Sequence, residues 1–179
     1  MKNSLIRTAD AIDRFIDRIG VLTSWLCLVL VLLIAVEVIL RYTMSLGAVW
    51  AQELEWHLLA VIALWGISYT QKEDAHVRVD ILYQNYGERT KNWLEFLSAL
   101  LVMVPLSFYI AWLGWDFMMH SYRIGEISPD PGGIPHRWVL KSFVMTGFFL
   151  LGVHSLAILL RSAARLFHKN DNGGRHAAQ

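Results

Sequence analysis

Few side chains in this sequence could do chemistry, and those that could stand at the margins of apolar runs. Glu53 and His57 are four residues apart, a spacing that puts both on one helix face and invites a metal or proton-transfer reading. Di-metal carboxylate bundles, however, repeat a Glu-x-x-His motif on two helices and add further glutamates. Here there is one pair at the wrong spacing, so hydrogen-bonded or solvated residues at a helix end are the better reading. Seven histidines raise a second possibility, b-type haem, in which two imidazoles reach one iron at the same depth. Only His57 and His154 fall within apolar runs. Measured from the outer ends of their helices, they lie about 10 Å and about 22 Å deep at the helical rise, too far apart for one haem. A stand-alone four-helix electron carrier is therefore the weaker alternative.

Other reactive patterns are missing. No nucleophile elbow, phosphate loop or zinc-protease helix occurs, so neither an enzyme nor a cofactor is expected. The single Cys27 allows no intrachain disulfide and no thiol cluster, and it reads as packing. The polar residues left over are Glu37, Arg41, Glu53, Glu55 and Lys141. Glu37 and Arg41, at i and i+4, can pair with each other or reach a partner helix. Glu53 and Glu55 point in different directions, so at least one can face another protein. Lys141 is expected to snorkel toward the headgroups. Ala60, Ala63, Gly66 and Ser68 allow close helix contact, inside the bundle or with a partner.

The elements that must position these residues follow from composition. With 55% hydrophobic residues, 17% charged and a mean hydropathy of +0.41 over 179 residues, the chain is too apolar for an ordinary soluble domain. The expected fold is an all-α integral membrane protein with four spans, over residues 21–40, 50–70, 93–118 and 139–160. Each is long enough to cross a hydrocarbon core of about 30 Å, and inside it only helices satisfy the backbone. Residues 4–19 form an amphipathic helix, either lying in the headgroup plane or extending the first span against a neighbour. The loop 71–92 holds His76, Arg78 and Asp80, and part of it can form a second interfacial helix. Pro105 should kink the third span. The loop 119–138, with Pro129, Pro131, Gly132, Gly133 and Pro135, cannot be continuous helix. The tail 161–179 is basic and polar. No cleavable leader is evident, so the first span reads as retained.

Lysine and arginine give the orientation. Twelve of the sixteen fall before residue 21, in 71–92 or after residue 160; only Arg41, Arg123, Arg137 and Lys141 fall on the other side. The bias places both termini in the cytoplasm. Trp50, Trp112, Trp115 and Trp138 then form an outer aromatic belt, with Trp25, Tyr69 and Trp93 nearer the inner one. No basic stripe with interleaved aromatics lies outside the membrane flanks, which sets nucleic acid aside. The partners expected are membrane lipids and another membrane protein.

Several pieces together, Arg41-Tyr42, Trp50, Glu53-Leu54, Gly66, His76-Val-Arg-Val-Asp80, Pro105, Gly132-Gly133-Ile134-Pro135 and Lys141, resemble the small membrane subunit of tripartite ATP-independent periplasmic (TRAP) transporters. The resemblance covers nearly the whole chain. It implies a bacterial inner-membrane uptake system of three parts. These are a periplasmic substrate-binding protein, a large membrane subunit that moves substrate with sodium by an elevator motion, and a small four-helix scaffold beside it. Substrate, by family default an acidic organic solute, and sodium would then be held by the large subunit. The outer ends of the spans, with Trp50, Glu53, Glu55 and the Pro-Gly loop, are expected to face the large subunit or the binding protein. The cytoplasmic segment from His76 to Asp80 is expected to fix a turn or meet the large subunit's inner side.

Overall fold

The computed structural model describes residues 2–45, 47–73 and 86–168. Regular structure in them is entirely helical. Helix α1 runs unbroken over Lys2–Met44, α2 over Val49–Lys72 and α3 over Glu88–Ser98. A π-helical turn, Ala99–Met103, joins α3 to α4, Val104–Arg123, and α5 covers Trp138–His168. No proline interrupts α1 and Gly20 is its one glycine, and the rod stops where Ser45 turns left-handed at φ 53°, the usual way a helix end is closed. Residues 4–19 are therefore the first part of the same rod that crosses the apolar zone, packed on α5, and not a separate element. Its buried stripe, Ala9, Asp13, Ile16 and Gly20, follows helical spacing but includes an acid, and Phe15 is 47% exposed.

Pro105 has the effect expected of it by a specific route. Its ring nitrogen cannot donate to the carbonyl four residues back, and the chain widens into the π turn just ahead of it, a recognised way to relieve such a break. Helix α3, the turn and α4 thus form one interrupted rod that begins at Glu88, earlier than the 93 expected.

Among the described residues three helices combine the length and apolarity to cross a membrane: Ser4–Met44, Glu88–Arg123 and Trp138–Leu166. Helix α2 is long enough, about 36 Å at the helical rise, but Gln52, Glu53, Glu55, His57, Gln71 and Lys72 dilute its apolar character. Four spans were expected; three meet both criteria.

Helix α5 is the hub, packing against every other helix. Small residues let it. A Cβ on Gly147 would stand 2.7 Å from the Leu64 carbonyl oxygen of α2, and one on Gly114 of α4 would stand 3.0 Å from the Met145 backbone. Beside the first crossing, the Trp65 indole N–H donates to Thr146 Oγ1 at 3.0 Å and its ring meets Phe143 edge-on. Backbones that approach this closely gain dispersion contacts and leave no room for lipid, which is how helices associate where hydrocarbon is the solvent.

Candidate functional site

The link 45–48 and the loop 124–137 lie at the same end of the bundle, and Glu53 joins them. Its side chain rises from the first turns of α2 and is 95% covered, the residue being 5% exposed. One carboxylate oxygen accepts from the Ser128 hydroxyl and the other from the Ile134 backbone N–H at 2.5 Å. Gly132 takes φ 83°, which only glycine adopts freely. Gly133 leaves space for this approach, since a Cβ there would lie 2.4 Å from Ser128 Oγ and 2.8 Å from Glu53 Oε2. The Gly-Gly-Ile-Pro motif is thus the backbone form needed to wrap a buried carboxylate.

Two further contacts fasten the same loop. Lys141 Nζ donates to Glu126 Oε2 and sits 4.2 Å from the Phe117 ring centroid, so it pairs within the chain where snorkelling was expected. The ammonium, and after it the Ser121 hydroxyl, hold the Glu126 carboxyl below the usual carboxylate range. Arg137 stacks its guanidinium 5.4 Å from the Trp56 ring centroid, while its N–H donates to the Glu126 carbonyl at 3.2 Å.

Glu37 and Arg41 form an i,i+4 pair on α1 at 2.5 Å. The acid is covered and the arginine side chain is 48% exposed. Glu55 brings its carboxyl beside that of Glu37, and its Oε1 is buried with no hydrogen-bond partner among the described residues. Trp50 is half exposed. Glu37, Arg41 and Glu55 therefore gather where α1 meets α2, while Glu53 is taken up by the loop and Lys141 by Glu126. His76, Arg78 and Asp80 lie outside the described residues.

The opposite end holds a network that sequence reasoning missed. His154 of α5 is 2% exposed; its Nδ1 pairs with Gln71 Oε1 at 3.0 Å and its Nε2 faces Asp13 Oδ1 at 3.6 Å. Gln71 Nε2 donates to Ser155 Oγ and Met103 Sδ, both at 3.3 Å. Arg161 Nη2 joins Asp10 and Asp13, and Lys72 donates to Asp17 at 2.5 Å. Asp17, with Glu73 after it, raises the lysine's pKa above its ordinary value. The signal lay in the spacing of Ala9, Asp13, Ile16 and Gly20, which puts Asp13 in the packed stripe and not on the solvent face. Of the two histidines weighed for haem, His57 stands fourteen residues before Gln71 on α2, about 21 Å at the helical rise, and His154 of α5 lies beside Gln71, so the two are near opposite ends of the bundle. His57 Nδ1–H donates to the Glu53 carbonyl, while His154 is buried against Gln71.

Glu53, Glu126 and Lys141 hold the loop 124–137 to the helices, while Trp50 stays half exposed. The family model for the DctQ component of tripartite ATP-independent periplasmic transporters matches residues 30–165. This chain belongs to the DctQ family. One relative is the C4-dicarboxylate TRAP transporter small permease protein DctQ of Rhodobacter capsulatus, 33% identical over 86 residues. The match takes in 48% of this chain and 37% of that protein, little more than a third of the relative's length. The family is one of transporter components and not of enzymes. Its match contains Lys72, His154 and Arg161 but starts after Asp10, Asp13 and Asp17, so the acids with which this DctQ-family chain pairs its cations lie outside it.

Proposed function

We propose that this chain is the small, non-translocating subunit of a TRAP uptake transporter, a membrane brace for the large subunit that carries substrate and sodium. The observation that carries the proposal is the DctQ match over residues 30–165. Helix α2 acts as a fourth span. Two of its polar groups are covered by other parts of the chain, Glu53 by the loop and Gln71 by His154 and Ser155, which is how polar residues are kept off lipid. The loops 45–48 and 124–137 face the periplasm and both termini the cytoplasm, as the lysine and arginine bias supports.

On this reading Glu53 and Lys141 do not touch partners. They shape the outer surface that does, and the exposed groups there, Arg41, Trp50 and the loop, meet the large subunit and, in passing, the periplasmic binding protein. The long apolar side of α1, where Val31 is 62% exposed and Ile39 59%, faces lipid or the large subunit.

Tagged chain co-expressed with the large subunit tests this. Wild type should recover the large subunit and support uptake, and Trp50→Ala, at a half-exposed side chain, should lose much of both while keeping its melting temperature. Recovery and uptake equal to wild type would remove the outer end from the interface. Solute transport by the isolated chain in vesicles would overturn the proposal altogether.

A further inference from the structure

The protons around His154 are fixed by their neighbours, beginning with Ser155. That hydroxyl has one hydrogen, and the Leu151 carbonyl accepts it at 2.8 Å, so toward Gln71 the Ser155 oxygen can only accept. The Gln71 amide atom nearer to it is Nε2, at 3.3 Å, with Oε1 at 3.5 Å. Nε2 also stands 3.3 Å from the Met103 thioether, which has no hydrogen to give. An amide turned the other way round would press its oxygen against both lone-pair atoms, which settles its orientation. Oε1 then faces the His154 ring, 3.0 Å from Nδ1, and because an amide oxygen cannot donate, Nδ1 carries a hydrogen.

The other ring nitrogen meets an acid. Nε2 lies 3.6 Å from Asp13 Oδ1, a buried oxygen that has no hydrogen-bond donor among the described residues. With Nδ1 already protonated, a neutral ring would turn the Nε2 lone pair toward that carboxylate. Two acceptors would then face each other at residues only 2% and 9% exposed, which costs free energy and gains none. A second ring hydrogen makes a charged pair of them instead. The charges nearby agree. Asp13 shares Arg161 with Asp10, two carboxylates to one guanidinium, while Lys72 of α2 is held by Asp17 and Glu73 and Arg165 of α5 by Glu95 of α3. A covered acid needs its charge balanced, and the ring is placed to supply the positive charge wanting beside Asp13.

We infer that His154 is a proton-binding site, held as an imidazolium that gives Nδ1–H to Gln71 of α2 and directs Nε2–H at Asp13 of α1, so that one proton clasps both helices to α5. Water can reach the ring, which lines a cleft of about 180 Å³ together with Lys72, Arg161 and Arg165. With the proton bound the clasp is closed. As pH rises and Nε2 loses its hydrogen, lone pair and carboxylate repel, and the part of α1 from Ala9 to Asp17 loosens from α5. The fold thereby responds to pH at the end of the bundle away from the loop 124–137. The site is independent of the proposed function, which serves only to name that side as the cytoplasm.

Nitrogen NMR of the full-length chain in lipid nanodiscs, isotope-labelled at histidine, tests it. The His154 signals are those lost in His154→Gln or, if that variant does not fold, those kept when the other six histidines are changed to glutamine. At pH 7 both ring nitrogens of His154 should show a directly bonded hydrogen. A bare Nε2 would overturn the site, whether the ring is neutral or the proton sits on Asp13, and so would a bare Nδ1, which would mean a reversed Gln71 amide. Asp13→Asn should lower the ratio of charged to neutral ring about tenfold, the loss of one charge-assisted contact; a ratio equal to wild type would overturn the pairing with Asp13. When the pH of the wild type is raised, amide exchange from Asp13 to Asp17, corrected for the intrinsic rate, should quicken about tenfold in step with the ring's loss of charge, and His154→Gln should show no such step. Exchange that ignores the charge on the ring would overturn the clasp.

Discussion

Replacing Gly133 by alanine should release the loop 124–137 from α2. The new methyl carbon would stand 2.4 Å from Ser128 Oγ, 2.6 Å from Ser128 Cβ and 2.8 Å from Glu53 Oε2, all well inside van der Waals contact. Because Ser128 and Glu53 are bonded to each other, neither can move without loosening that bond, and the Ile134 N–H that shares the carboxylate is disturbed with them. Overpacking of this kind costs about 1–3 kcal/mol. In a local opening equilibrium that is about a 5- to 150-fold rise in the open population, and the Ile134 amide should exchange faster by that factor in hydrogen–deuterium exchange. Gly133→Ala combined with Ser128→Gly removes two of the three clashes and should recover part of the protection lost in Gly133→Ala alone, a non-additive pair in a double-mutant cycle. Ile134 protection equal to wild type in Gly133→Ala would refute the idea that Glu53 clamps the loop.

Other perturbations reach the remaining contacts. Gly147→Ala places a Cβ 2.7 Å from the Leu64 carbonyl oxygen, a backbone atom that cannot swing aside, and should cost about 1–3 kcal/mol in thermal unfolding; an unchanged midpoint would mean α2 and α5 can part freely. Gln71→Leu removes one hydrogen-bond partner each from His154 Nδ1 and Ser155 Oγ and should destabilise that end of the bundle by about 1–3 kcal/mol, read as faster exchange in the last turns of α2. Glu126, held below the usual carboxylate range by Lys141 and Ser121, stabilises the loop above its unfolded pKa of about 4.3, and that contribution is lost as pH falls through the lower folded value. The Arg137 amide, which donates to the Glu126 carbonyl, should therefore lose protection in acid, and Glu126→Gln should show no such acid limb.

Apolar run lengths made the helices and their connections legible, because span length is set by the thickness of the bilayer and by little else. Arg41 beside Glu37 was legible too, since i and i+4 neighbours meet on any helix. What escaped was everything that depends on how one rod sits against another. Asp13 belongs to a charged-looking face by composition, and only packing against α5 shows that it is covered, with Arg161 as its partner 148 residues away. Lys141 lies at the head of an apolar run and looks free to snorkel; Glu126, fifteen residues earlier, can reach it only because the loop folds back. Glu53 was singled out for its charge, yet its role comes from Gly132 and Gly133, whose value is the absence of a side chain. Helix α2 mixes polar and apolar residues so evenly that no single stripe announces which faces are covered.

A π turn contains one residue more than an ordinary helical path would need, and at 3.6 residues per revolution one extra residue swings everything beyond it through about 100°. Ala99–Met103 is therefore a rotational joint set into the middle of a rod. Without that offset the outer half would carry Gly114 away from Met145 and Phe108 away from Gly152, and larger side chains would come round to meet α5. The short interruption ahead of Pro105 decides which side of α4 meets the hub and which side meets the bilayer.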